Sequence, residues 1–371
     1  MSHISFSPSS GPSLGVEIEL ALVNAETMAL HSGCQEILAD IPEEYKDTIK
    51  PELMQCYIEA NSEKCSTAAE AEADLREKLI CIQGIADKHD LRLYWSGTHP
   101  FSSWRDQSVT PNDRYQALIN LLQDTARQLV TFGLHVHVGV DSGDKAVMLC
   151  DRMLRHLPVL LALSCNSPFW EGRVTGVASW RSRVMDGLPT AGLPPLMRNW
   201  SEYVWLVNHL VETGYIDSIR ELWWDIRPHH KFGTIELRIF DVPGSLEDAM
   251  ALAALSQCLV RYLSVQIDEG AYQHDCHPFM IRENKWQAAR FGLDAKLVDS
   301  NMYRLQPARE VVREMVDTLR PASEELECSE YLDRVLVMAD QPNWSQRQVQ
   351  IYEELGDPVE LVRRMTDASR L

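Results

Sequence analysis

The sequence predicts an α+β fold, a mainly antiparallel β-sheet with helices packed on one face, and two observations carry that prediction. Apolar and polar residues alternate at 14–23, 91–97, 132–141 and 233–241, the period of a strand with one face buried. Three of those strands carry ionisable residues at alternate positions, whereas a parallel sheet covered by helices on both faces would have almost uniformly apolar strands.

Taken in order, the Ser/Pro/Gly cluster at 6–13 reads as a loose lead into the first strand, LGVEIELALV. Segment 66–89 predicts a helix, with Ser66 and Thr67 as candidate caps ahead of strong helix formers. LRLYWSG (91–97) is the second strand, and a helix is expected over 113–131. FGLHVHVGVD (132–141) is the third strand, followed by a helix over 144–165. GTIELRIFD (233–241) is the fourth, followed by a helix over 245–268. The last hundred residues, rich in Glu, Arg and Leu, read as several helices and no strand. With no repeat, low-complexity tract or long linker, residues 1–371 read as one domain, of which 14–295 carries the motifs below and 296–371 is mainly helical.

Composition narrows the function classes. The 371 residues are 45% hydrophobic, enough for a sizeable core, and the net charge is −19, which repels phosphodiester backbones and anionic lipid alike. No nucleic-acid or membrane partner is expected. The opening MSHISFSPSSGPSLG has no basic or apolar leader character, and no run of about 18 apolar residues is evident, so a cytoplasmic location is expected. Nine cysteines form an odd set without CxxC spacing, which fits neither a disulfide framework nor a structural zinc site. Walker A, GxGxxG and HExxH sequences are absent.

The chemistry lies on the strands. Glu17 and Glu19 in GVEIEL share a face, with Val16, Ile18 and Leu20 on the other. His135 and His137 do the same in LHVHVGV, and Glu236 and Arg238 in TIELRIF. If the strands share a sheet, one face gathers carboxylates, imidazoles and an arginine, and a cation would relieve the repulsion. Glu52 and Glu59 sit seven apart, on one helix face or converging across a loop. Hard carboxylates with one or two imidazoles suit Mg²⁺ or Mn²⁺ better than zinc. Each motif alone has a plainer reading: Glu-x-Glu as a solvated strand face, Glu-x-Arg as a surface ion pair worth roughly 0–1 kcal/mol. Repetition in three distant strands is what sets them apart.

Together GVEIEL, SGTHPF, NDRY, HVHVGV, SPFWEGRVTGVASWRSR, WWDIRP, FGTIELRIFD and KWQAARFGL, in this order, resemble the bacterial carboxylate–amine ligases of the glutamate–cysteine ligase type 2 family. The resemblance implies a glutamine synthetase-like catalytic fold with a curved sheet, ATP and Mg²⁺ (or Mn²⁺) as cofactors, and an acyl phosphate attacked by an amine. It implies L-glutamate with L-cysteine or another amine as substrates, a role in glutathione biosynthesis, and a homo-oligomer, a dimer first. By residue, it makes Glu17, His135 and Glu236 ligands of the metal bridging the ATP phosphates, and Glu19, Glu52 and Glu59 ligands of the metal nearer the acceptor. Arg238 and Arg227 would meet the transferred phosphoryl group, with His137 beside the phosphates; Ser179, Arg181 and Arg114 would hold the substrate. Family members often have Ser where this chain has His229, next to Lys231. Trp170, Trp180, Trp223 and Trp224 either shield the site or are core aromatics; His99 either serves the site or caps a turn, and Arg114 either serves it or is a surface ion pair. A two-metal hydrolase and a ligand-binding protein without turnover are the competing readings.

Overall fold

Strand β1 (Leu14–Asn24) is the axis of the architecture, because Val16, Ile18 and Leu20 are buried to within 1% on one side while Glu17 and Glu19 stand on the other. The computed structural model describes residues 4–271, 273, 276–299 and 304–371. The remaining strands are β2 (Ile49–Pro51), β3 (Tyr57–Asn61), β4 (Leu91–Tyr94), β5 (Gly133–Gly139), β6 (Phe169–Trp170), β7 (Arg173–Val174), β8 (Ile226–His229), β9 (Thr234–Asp241), β10 (Lys296–Asp299) and β11 (Arg304–Pro307). A seven-stranded antiparallel sheet runs β2-β3-β1-β5-β9-β8, with β4 paired to the C-terminal part of β1. This is the α+β, mainly antiparallel arrangement that the alternation predicts.

The apolar face packs on helices. The Leu246–Asp268 helix, capped by Ser245, brings Ala249, Ala251, Ala253 and Ala254 wholly inside, and these small side chains let it lie close to β1 and β5. Its length and composition would also suit a membrane span, but most of its apolar window is buried within the protein. The Ala68–Lys88 helix adds Leu75, Leu79 and Ile82 and starts with a reciprocal Thr67/Glu70 capping box, matching the predicted start.

Several expectations change. The helix expected over 113–131 breaks at Gln123, whose φ is 51°, into Asp113–Leu122 and Asp124–Arg127. That over 144–165 divides into Gly143–Met153 and Leu157–Ser164, the second carrying Pro158 in its first turn, where a missing N–H costs nothing. The strand expected over 91–97 ends at Tyr94, since Ser96 and Gly97 turn to bond the Asn166 carbonyl. Strands β2, β3 and β8 escape the alternation test because they are short and, in β3, buried on both faces. The expectation of no strand in the last hundred residues is wrong: β10 and β11 form a hairpin, each four residues long.

The lead at 6–13 is not loose. The Ser7 and Ser9 N–H groups donate to the carbonyls of His230 and Val140, each at 2.9 Å, and Gln257 donates to the Pro12 carbonyl at 2.6 Å. Gly233, in the β8–β9 turn at φ +65°, makes this docking possible, because a Cβ there would lie 1.8 Å from the Ser7 carbonyl oxygen. Gly233→Ala is therefore expected to cost about 2 kcal/mol or more of unfolding free energy and to open residues 4–13 to limited proteolysis. A urea titration and a timed digest check both outcomes.

Candidate active site

Strand register assembles the polar face. Glu17 lies opposite His135 across β1 and β5, His137 opposite Glu236 across β5 and β9, and Glu236 opposite Arg227 across β9 and β8. On the other side of β1, Glu19 lies opposite Glu59. A one-residue slip between Leu134 and Val136 then places Phe240 opposite Leu134, so that Arg238 no longer faces His135 in simple register. All these charged side chains line one cavity of about 350 Å³, together with Glu52, Arg114 and Arg181.

The carboxylates fall into two chemically distinct groups. Glu17 accepts from His135 Nδ1 at 3.0 Å and has His137 Nε2 at 3.3 Å; burial alone would raise its carboxyl, but the two imidazoles hold it well below the ordinary range. Glu236, 1% exposed, takes Arg227 Nε at 2.7 Å and Arg238 Nη1 at 2.5 Å, and these two cations likewise overcome burial. Arg227 is fixed by the Ile219 and Leu222 carbonyls, both at 2.7 Å. With Glu236 buried and the Arg238 side chain 14% exposed, this pair is not the surface Glu-x-Arg of the plainer reading.

Glu19, Glu52 and Glu59 form the other group and make no ion pair among the described residues. Glu19 accepts the Gly133 N–H at 2.5 Å and Glu59 accepts Asn61 Nδ2 at 2.8 Å. Burial, then the charge of Glu19, pushes the Glu52 carboxyl up to about 7; burial, then Glu17, Glu52 and Glu19, raises Glu59 well above its ordinary value. Ligand atoms lie within 4.8 Å of one another in three sets: Glu19/Glu52/Glu59, Glu17/His137/Glu236 and Glu17/Glu59/His135. In this geometry His137, rather than His135, joins Glu17 and Glu236, and His135 faces Glu59. The His135 Nε2 atom is buried without a hydrogen-bond partner among the described residues. Mutually repelling carboxylates and an orphaned imidazole nitrogen are a donor set that fits a hard divalent cation.

Arg181 lies across Gly133, where a Cβ would come within 2.3 Å of its Nη2, and donates to the Arg238 carbonyl from Nη1 and Nη2 at 3.3 Å each. Its Nε has no partner among the described residues. Ser179 does not reach the cavity. Fully buried, it caps the Trp180–Met185 helix and donates to Asp241 Oδ1 at 2.7 Å, so the substrate contact expected of it is replaced by a supporting role. Arg114 lines the cavity and makes no ion pair among the described residues. His99 is a turn residue: Nε2 meets the Met28 carbonyl, Nδ1 accepts two backbone N–H groups, and burial lowers it to about 3. Of the four tryptophans only Trp223 lines the cavity, while Trp170 and Trp224 are core. His229 stacks on Phe232 with centroids 4.1 Å apart and meets His137 edge-on at the cavity wall. Sequence reasoning missed Lys50 and Arg220 on the wall, and Asp241 behind it; Asp241 ends the FGTIELRIFD motif, Arg220 lies just upstream of WWDIRP, and Lys50 stands two residues before Glu52.

These shifts set a pH dependence. Between the ordinary carboxyl value and about 7 the folded protein keeps protons on Glu52 and Glu59 that the unfolded chain has released, so stability falls as pH rises through that window. Glu17 and Glu236 act oppositely: their stabilisation is complete above the ordinary carboxyl range and is lost as pH falls through and below it. Chelator-treated protein is expected to be less stable near about pH 8 than near about pH 5.5 by about 1 kcal/mol or more, and Glu52→Gln should remove much of the difference. Urea midpoints at the two pH values measure this; a difference that Glu52→Gln leaves intact excludes Glu52 as its source.

Comparison with known proteins agrees with this architecture. The fold is shared with the glutamate–cysteine ligase of Francisella tularensis solved in complex with AMP, at TM-score 0.71 and 11% identity over 98% of this chain and 90% of that one. It is also shared with a bifunctional glutathione synthetase of Pasteurella multocida, at TM-score 0.68 and 16% identity over 97% of this chain and 52% of the other. In sequence, a provisionally named glutamate–cysteine ligase 2 of Gloeobacter violaceus is 40% identical over 97% of both chains. One of Thermobifida fusca, also provisionally named, is 42% identical over 90% of this chain and 84% of its own. The family model described as glutamate–cysteine ligase family 2 matches residues 13–362. The chain belongs to glutamate–cysteine ligase family 2.

Proposed function

We propose that this protein is an ATP-dependent carboxylate–amine ligase of the glutamate–cysteine ligase type, joining the γ-carboxylate of L-glutamate to L-cysteine or another amine. The observation that carries the reading is the pairing, on one sheet face, of a carboxylate set that makes no ion pair among the described residues with two guanidiniums, Arg227 buried and Arg238 partly exposed. A second cavity of about 400 Å³ shares Glu17, Lys50, His137 and Phe232 with the first and adds Lys64 and Lys231, which offers room for a nucleotide reaching the first cavity with its phosphates.

In this reading the chain positions and neutralises; it supplies no nucleophile. Arg181 and Arg114 orient the glutamate, and Arg227 and Arg238 face the phosphoryl group as a γ-carboxylate oxygen bonds to phosphorus and ADP departs. The amine then attacks the acyl carbon of γ-glutamyl phosphate, inorganic phosphate leaves, and the amine proton passes to solvent or base. Mg²⁺ or Mn²⁺ held by Glu19, Glu52 and Glu59, and by Glu17, Glu236 and a histidine, would neutralise phosphate oxygens. Cavity walls such as Trp223 and Met185 limit the water that would hydrolyse an acyl phosphate. We infer a cytoplasmic setting; all nine cysteines are free thiols.

Coupled ADP release, with ATP and glutamate fixed and a panel of amines as acceptors, tests the reading. ADP and phosphate should form only when both glutamate and an amine are present; AMP and pyrophosphate in step with amide formation would replace the acyl-phosphate route, and hydrolysis without ATP would favour the two-metal hydrolase. Glu236→Gln should lower kcat by about 100-fold or more at unchanged fold, because it frees two guanidiniums from their counter-charge. No cysteine lines the cavity, and Cys56 and Cys165 are fully buried, so mild alkylation that preserves the fold should leave activity intact. Loss of activity that glutamate and Mg-ATP prevent would put a thiol in the site.

A further inference from the structure

One buried ammonium outside the cavity connects the helix that carries Arg181 to the residue that precedes β8 and bonds the Arg238 backbone. Lys285, on the helix Pro278–Phe291, is 6% exposed, and its Nζ meets Asp186 Oδ1 at 2.8 Å and Asp225 Oδ1 and Oδ2 at 3.0 and 2.7 Å. An ammonium has three N–H donors, so these contacts use them all. Lys285 does not line the active-site cavity.

Asp186 is tied to one cavity arginine and Asp225 to two. Asp186 immediately follows the helix Trp180–Met185, which carries Arg181, and its backbone N–H closes the last turn on the Ser182 carbonyl. Asp225 immediately precedes β8, two residues from Arg227, and its carbonyl accepts the Arg238 N–H at 2.8 Å while its own N–H donates to the Gly192 carbonyl. The same outer helix holds the other end of the Arg181 helix, through the Ser179 N–H on the Ala289 carbonyl at 2.9 Å. Arg181 in turn bonds the Arg238 carbonyl, closing a loop of contacts from Lys285 through both aspartates to both guanidinium-bearing segments. Without the ammonium, two carboxylates, one of them 7% exposed, would face each other and part.

We propose that Lys285 is a positioning residue for the ligase reaction: it sets the spacing of Arg181 and Arg238 by clamping Asp186 to Asp225. The proposal rests on the ligase reading above. Small displacements of such groups are expensive, about 100-fold in rate for roughly 1 Å, so the effect should be visible well before the fold fails.

The test is steady-state kinetics of Lys285→Met, whose fold is checked by circular dichroism and thermal melting. The expected result is a fall in kcat of about 100-fold and a rise in the KM for glutamate of about tenfold, with the KM for Mg-ATP nearly unchanged. Combining Lys285→Met with Arg181→Lys should cost clearly less than the product of the two single losses, since one of the two guanidiniums that Lys285 spaces is the one that Arg181→Lys removes. A folded Lys285→Met with wild-type kinetics, or losses that multiply in the double variant, would overturn the proposal. If Lys285→Met does not fold, Asp186→Asn takes its place, because that side chain is partly exposed; a loss of about tenfold in kcat/KM for glutamate is expected, and wild-type kinetics would again overturn it. The underlying reading fails separately, when the wild-type protein forms no ADP with glutamate and any amine.

Discussion

Five carboxylates share one cavity on this sheet, and their mutual repulsion is the constraint around which the rest of the structure is arranged. Two are settled from within. Glu17 sits between two imidazoles and Glu236 between two guanidiniums, and both remain ionised despite burial. Glu19, Glu52 and Glu59 have only N–H donors, and burial with crowding drives Glu52 and Glu59 toward the protonated form. This asymmetry gives the cavity one half with its own counter-charges and one half that needs a cation from outside, which is the electrostatic basis for placing the metal and the phosphates as proposed.

Holding such a face together requires rigidity from elements that never touch it. The long Ala-rich helix behind β1 and β5 supplies the apolar support, and the small side chains bring it close enough to bury the apolar face of those strands. At the end of β9, Asp241 takes the Asn166 N–H and the hydroxyls of Ser167 and Ser179, which fixes the start of the Arg181 helix. Gly133 leaves open the space in which the Arg181 guanidinium lies. The charged side chains that line the cavity are thus held by buried polar groups that come from widely separated segments.

Much of this was legible in the sequence, for a simple reason: strand periodicity is two, so Glu17/Glu19, His135/His137 and Glu236/Arg238 had to share a face if the segments were strands at all. The four long alternating segments are strands, and the ordered motifs placed the chain in its family. Short or doubly buried strands gave no such signal. YIEAN in β3 is buried at every position, so Glu59 was visible as a candidate but its seat opposite Glu19 was not.

The sequence alone determined the faces, the charge balance and the candidate donor groups, because those follow from residue type and local period. Only the tertiary structure decided which histidine meets which glutamate, since one slip in register between β5 and β9 and the pairing of β1 with both β3 and β5 set those distances. It also decided that Ser179 lies outside the cavity on Asp241, that the N-terminal lead is docked, and that Lys285 stands behind the cavity. Each of these depends on contacts between residues far apart in the chain, and local pattern carries no information about them.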